Sequence, residues 1–277
     1  MQRIIAVLLL GATLVAQAKP LPVKLIQYFA KSHSSNGNAV GVVQWTGKGT
    51  GKEVKLAGLD AYVATPAGPY KAAVLMIPDI YGWQTDGTRV WADNMAKQGF
   101  LVVVPDYFKG NPRKKTDSGD TFAAWLALFP RETVMKESTD VIAAIRKTYP
   151  SVQKVGVAGF CWGGLYAVLL AGGKTPAVSA SAVYHGSLIT RADVEAINAP
   201  ITFQQSDPEV DNQINTEFYK EIKAILAAKA KQGLDASITY YIGMPHGYAV
   251  RGAEAGNSAS ATGALKAGAA FFRKHFN

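Results

Sequence analysis

The sequence predicts an α/β protein with a mostly parallel central sheet and helices on both faces. Three observations carry this. The runs 72–77 (AAVLMI) and 100–104 (FLVVV) are continuously apolar, as strands buried on both faces of a parallel sheet are. Strand candidates alternate with stretches of helical spacing, the pattern of strand–helix–strand units. A glycine-rich turn, Gly159-Phe160-Cys161-Trp162-Gly163-Gly164, stands between a strand candidate and an apolar helix start.

The elements follow in order. Residues 1–18 read as a signal peptide, with Arg3 as the charged start, Ile4–Val15 as the apolar stretch and Ala16-Gln17-Ala18 as the small-x-small cleavage signal. The apolar stretch is too short to span a bilayer. The expected location is secreted or extracytoplasmic, with an uncleaved anchor as the alternative. Residues 19–53, rich in Gly, Ser, Asn and Lys, are expected to form an irregular arm. Within them, Gly47–Lys52 misses the phosphate-loop spacing by one residue and is followed by Glu53, so phosphate binding is not expected.

One domain is expected over 54–277. It opens with a hairpin or two short strands at 54–65 and the buried strand 72–77. A helix over 86–98 follows, carried by Val90, Trp91, Met95 and Ala96 and stopped by Gly99. Next come strand 100–104, helices 120–129 and 132–148, and the strand ending at Ala158. Strands at 178–184 and 201–205, helix 213–231, strand 238–242 and a terminal helix 258–275 complete the pattern.

Composition excludes several function classes. The 277 residues carry a formal charge of +9, but apart from Arg113-Lys114-Lys115 the basic residues are scattered. Without a nucleic-acid motif or basic amphipathic stripe, the charge implies solubility and mild attraction for anions. A single cysteine allows no internal disulfide. No HExxH or CxxC spacing occurs, so neither a metal nor a cofactor is expected.

The lone cysteine is Cys161, in the nucleophile position of the glycine-flanked turn. A thiol at a helix N-terminus meets partial positive charge, which favours thiolate. The bland alternative is a small buried cysteine on a tight turn. Loops after parallel strands converge at one sheet edge. Four such loops bring Asp79-Ile80, Cys161, Asp207 and His246. Nucleophile, acid, histidine is the chain order of a hydrolase triad. His246 is assigned as base and Asp207 as the carboxylate holding its tautomer. Asp211 is the alternative acid, read in the first place as a cap for the next helix. His185 is read as a satisfied core histidine, with pocket lining as the alternative. The backbone N–H groups of Ile80 and Trp162 are assigned to the oxyanion hole.

These motifs, together with His246-Gly247-Tyr248-Ala249-Val250-Arg251 and Met76–Trp83, resemble the dienelactone hydrolase family (carboxymethylenebutenolidases), a Cys-Asp-His branch of the α/β-hydrolases. The similarity runs from about Leu59 to the C-terminus and is strongest to a eukaryotic, fungal-type subgroup. It implies the α/β-hydrolase fold and hydrolysis of small esters or lactones through a thioacyl enzyme. It also implies small-molecule substrates, anionic ones among them. A monomer or weak dimer is expected. Bacterial ring-cleavage members carry glutamate where this chain has Asp79, which is expected to poise the thiol. Arg251 matches an arginine that meets the substrate carboxylate; Lys109 and Tyr81 are expected to face substrate with it. The alternatives are a general carboxylesterase or thioesterase, and a binding protein that retains the fold without catalysis.

Overall fold

The computed structural model describes residues 43–276. The expected signal peptide and the arm as far as residue 42 lie outside the described residues.

Strands β1 (Lys52–Leu56) and β2 (Leu59–Ala64) form a hairpin. Its two-residue turn needs positive φ twice, met by Ala57 at 51° and Gly58 at 82°. The other strands are β3 (Ala72–Ile77), β4 (Leu101–Pro105), β5 (Lys154–Phe160), β6 (Ser181–Tyr184), β7 (Ile201–Gln205) and β8 (Ala236–Tyr240). Among the described residues they make one eight-stranded sheet in the order β1-β2-β4-β3-β5-β6-β7-β8. β2 runs antiparallel to β1 and β4; every other neighbour pair is parallel.

Alternate side chains of β3 divide between two cores, as a strand buried on both faces requires. Ala73, Leu75 and Ile77 face one core, and Ala72, Val74 and Met76 the other. Helices α1 (Asp86–Ala96) and α7 (Ser258–Phe276) cover the second face through Val90, Trp91, Leu265 and Phe272. On the first face lie α2 (Phe122–Leu126), α3 (Arg131–Thr148), α4 (Trp162–Leu170), α5 (Arg191–Glu195) and α6 (Thr216–Lys231). Val134, Ile142, Leu165, Val168, Ile222 and Leu226 are their main buried contributions.

Four expectations are corrected. β8 lies two residues earlier than the apolar pattern placed it, because this edge strand is only partly buried and Ile242, 59% exposed, lies beyond it. The helix expected over 120–129 is a 3₁₀ turn (Gly119–Thr121) followed by the short α2. The helix expected over 213–231 splits likewise, with a 3₁₀ turn at Asn212–Ile214 and Asn215 capping α6 through its side chain. The end of the irregular arm also packs with the domain. Trp45 is buried, donates from Nε1 to Thr262 Oγ1 at 2.9 Å, and lies where a side chain on Gly252 would meet its ring at 2.1 Å.

Candidate active site

β5 ends at Phe160 and α4 begins at Trp162, so one residue, Cys161, makes the whole turn. Its φ of 51° and ψ of −117° lie in a region that non-glycine residues rarely occupy. The close crossing explains the flanking glycines. A Cβ on Gly159 would meet Gly163 O at 2.2 Å, and one on Gly163 would meet Ile77 O at 2.2 Å. Cys161 N donates to Tyr184 O at 3.2 Å, and Cys161 O accepts from Gly164 and Ser187. The thiol therefore stands at the N-terminus of α4, almost fully buried.

His246 reaches it from the loop after β8. Its Nδ1 lies 2.7 Å from Asp211 Oδ2, and its Nε2 is buried without a hydrogen-bond partner among the described residues. Burial works against the imidazolium. The Asp211 hydrogen bond, the nearby Cys161 and the Asp211 charge outweigh it and push the His246 pKa up to about 10. Burial would likewise raise Asp211, but its hydrogen bond and attraction to His246, then the Gln213 amide, hold it below the usual carboxylate range.

The carboxylate that meets His246 is thus Asp211 and not Asp207, where the sequence placed it. Both oxygens of Asp207 are occupied by backbone: Oδ2 accepts from Gly243 N at 2.7 Å and Oδ1 from Glu209 N at 3.0 Å. Its own N–H donates to Met244 O, and its carbonyl accepts from Val210 and Asp211. Asp207 ties the acid loop to the histidine loop and so positions Asp211. The capping role read for Asp211 also holds, because Oδ1 accepts from Gln213 N while Oδ2 faces the imidazole.

The loop after β3 forms the opposite wall. Tyr81 N donates to Asp79 Oδ1 at 2.9 Å, Gly82 N to Asp79 O at 3.0 Å, and Ile80 O accepts from Arg113 N. Ile80 N enters none of these turn bonds. Trp162 N is the first amide of α4 and has no carbonyl of its own helix to meet. Gly163 packs directly on the Ile77 and Pro78 carbonyls, so the two amides belong to touching backbone segments. Asp79 is buried, which raises its pKa against the Tyr81 amide and the charges of Arg251, His246 and Lys115.

Arg251 donates from Nη1 to His246 O at 3.1 Å and lies 5.8 Å from the Tyr81 ring centroid. It braces the histidine loop, and among the described residues the other N–H groups of its fork are uncommitted. The Lys109 ammonium lies 2.7 Å from Glu137, an ion pair at the surface. Arg113 is buried in its own loop, bonded to Thr121 Oγ1 and Ser118 O.

Two further side chains stand against this site. His185 is fully buried, but neither ring nitrogen has a partner among the described residues, so it is not a satisfied core histidine. Its ring centroid lies 5.2 Å from that of His246, and burial, then His246 and Arg251, keep it neutral. Ser187 Oγ lies 3.6 Å from Cys161 Sγ. The serine carries no sequence signal, because only the fold brings this loop to the thiol.

A sheet of this strand order, a strained residue after its central β5 and an acid–histidine pair on the loops after β7 and β8 define an α/β-hydrolase. The family model described as the dienelactone hydrolase family matches residues 59–276, and the chain belongs to that family of hydrolases. The chain is similar to a carboxymethylenebutenolidase homolog of Xenopus tropicalis, with 31% identity over 73% of this chain and 80% of the relative. A mouse carboxymethylenebutenolidase homolog is 34% identical over 56% of this chain and 63% of its own length. A crystal structure from Klebsiella pneumoniae, assigned as a dienelactone hydrolase, superimposes with a TM-score of 0.70 at 20% identity, covering 81% of this chain and 98% of that one.

Proposed function

We propose that the chain hydrolyses small esters or lactones with Cys161 as nucleophile, His246 as base and Asp211 as the carboxylate that orients it. His246 Nε2 takes the thiol proton, and the sulfur attacks the substrate carbonyl. The amides of Ile80 and Trp162 donate to the oxygen as it gains charge. When the carbonyl re-forms, the C–O bond breaks, His246 returns the proton to the departing alkoxide, and a thioester remains on Cys161. Water attacks that thioester while His246 takes its proton. The C–S bond breaks and the acid leaves.

The observation that carries this reading is Cys161 in its strained turn beside an imidazole with Nε2 unpartnered and Nδ1 on buried Asp211. Arg251, with N–H groups to spare beside Asp79 and Tyr81, supports a preference for anionic substrates. The segment 1–18 supports export of the protein. The test is turnover of p-nitrophenyl esters and unsaturated lactones with and without iodoacetamide. Loss of turnover in step with alkylation of Cys161 is expected; full turnover of the alkylated protein would refute the role of the thiol.

A further inference from the structure

We propose that Ser187 is a further catalytic residue, whose hydroxyl donates a hydrogen bond to the Cys161 sulfur whenever that sulfur carries negative charge. The proposal rests on Cys161 being the nucleophile. Ser187 Oγ lies 3.6 Å from Sγ, a hydrogen-bonding distance for sulfur, and the residue is 4% exposed. Among the described residues Sγ is the only hydrogen-bond partner of this hydroxyl. A buried hydroxyl with one partner is explained by that partner, since packing alone would be served by alanine.

The backbone is held in an unusual shape to present it. His185 at φ 37° and Leu188 at φ 59° are both non-glycine residues in the left-handed region, two such positions within four residues. Strain of this kind persists only where the surroundings impose it, and it clusters at functional sites. The constraints are visible here. Gly186 N donates to Gln205 Oε1 at 3.0 Å, and Gln205 Nε2 donates back to Gly186 O at 3.4 Å. Ser187 N donates to Cys161 O at 3.1 Å. A Cβ on Gly164, in the first turn of α4, would meet Gly186 Cα at 2.8 Å. The loop after β6 is thus clamped to the nucleophile turn on one side and to β7 on the other.

The titratable groups around the sulfur leave a task for a neutral donor. His246 and Arg251 come from the loop after β8, Asp211 from that after β7, Asp79 from that after β3 and His185 from the Ser187 loop itself. His246 is the proton acceptor, Asp79 is a buried carboxyl and His185 is held neutral. Ser187 keeps its own proton throughout. The thiol proton goes to His246, and Ser187 donates to the resulting thiolate. During attack the sulfur electron pair enters the C–S bond and the Ser187 contact weakens. When water breaks the thioester, the pair returns to sulfur and the contact re-forms. The hydroxyl therefore assists the second half of the cycle, in which sulfur is the leaving group, more than the first.

The test compares wild type, Ser187→Ala and Ser187→Thr in iodoacetamide alkylation across pH and in steady-state and quenched turnover of p-nitrophenyl acetate. Ser187→Ala should slow alkylation at pH 6 by roughly threefold to tenfold and move its pH–rate profile upward, with the melting temperature little changed. Its kcat should fall by roughly tenfold with a parallel fall in KM, as acyl enzyme accumulates. Ser187→Thr, which keeps the hydroxyl, should restore the alkylation profile. Superimposable alkylation profiles for wild type and Ser187→Ala would overturn the proposal while leaving Cys161 as nucleophile. Undiminished turnover in a parallel Cys161→Ala control would overturn both.

Discussion

Replacing Asp211 and Asp207 one at a time separates the group that serves the chemistry from the one that holds the loops. In Asp211→Asn the charge facing His246 Nδ1 across 2.7 Å is lost. A hydrogen bond of this kind to a charged group contributes about 1.5–3 kcal/mol, and each 1.36 kcal/mol is tenfold in rate, so kcat/KM should fall about a hundredfold. An amide can also turn its NH₂ toward the ring and select the wrong tautomer, which deepens the loss. In Asp207→Asn one of two backbone amides, Gly243 N or Glu209 N, loses its acceptor. A stability loss of about 2 kcal/mol is expected there, or roughly 4–8 °C in melting temperature, with kcat/KM within about fivefold of wild type. Initial rates on p-nitrophenyl acetate and melting by circular dichroism read both effects. A hundredfold loss in Asp207→Asn at unchanged melting temperature, with Asp211→Asn near wild type, would refute the assignment.

Cys161→Ser should turn over esters at least a hundredfold more slowly, because a hydroxyl gives up its proton far less readily than a thiol; equal rates would show that the site is not tuned for sulfur. Arg251→Ala should erase a tenfold or greater preference for carboxylated lactones over their methyl esters, as kcat/KM ratios on matched pairs will show. An equal loss on both substrates would leave Arg251 only its hydrogen bond to the His246 carbonyl. The His246 pKa is raised from 6.5 to about 10, so its interactions with Asp211 and Cys161 stabilise the fold fully below about pH 6.5, and this is lost progressively as pH rises through 10. The depressed Asp211 sets the acid side, where stability falls as that carboxylate protonates. Melting curves of wild type and Asp211→Asn should therefore differ most between these limits and converge above pH 10.

What was legible in the sequence was what local chemistry writes there. A strand buried on both faces has no polar position, so 72–77 and 100–104 announced themselves. The nucleophile turn needs glycine at two close crossings, and Gly159 and Gly163 mark them. The edge strand β8 was displaced because partial burial leaves little apolar pattern, and Ile242 drew the strand outward although it is exposed. The carboxylate partner of His246 was misplaced because Asp207 and Asp211 share one loop, and a capping carboxylate has a second oxygen that no sequence rule accounts for. The ion pair of Lys109 with Glu137 on α3 has no sequence signal, because it is made only in three dimensions. Ser187 was beyond reach for the same reason, and the two readings of His185 could not be separated: the packing of the loop after β6 on Cys161 is a property of the folded sheet.

The most direct measurement is mass spectrometry of the protein quenched during turnover of a slow ester. The mechanism predicts an acyl mass on the peptide that contains Cys161, formed and lost at rates that match steady-state turnover, and absent from Cys161→Ala, which should be inactive. Turnover that proceeds without any such adduct, and persists in Cys161→Ala, would contradict it.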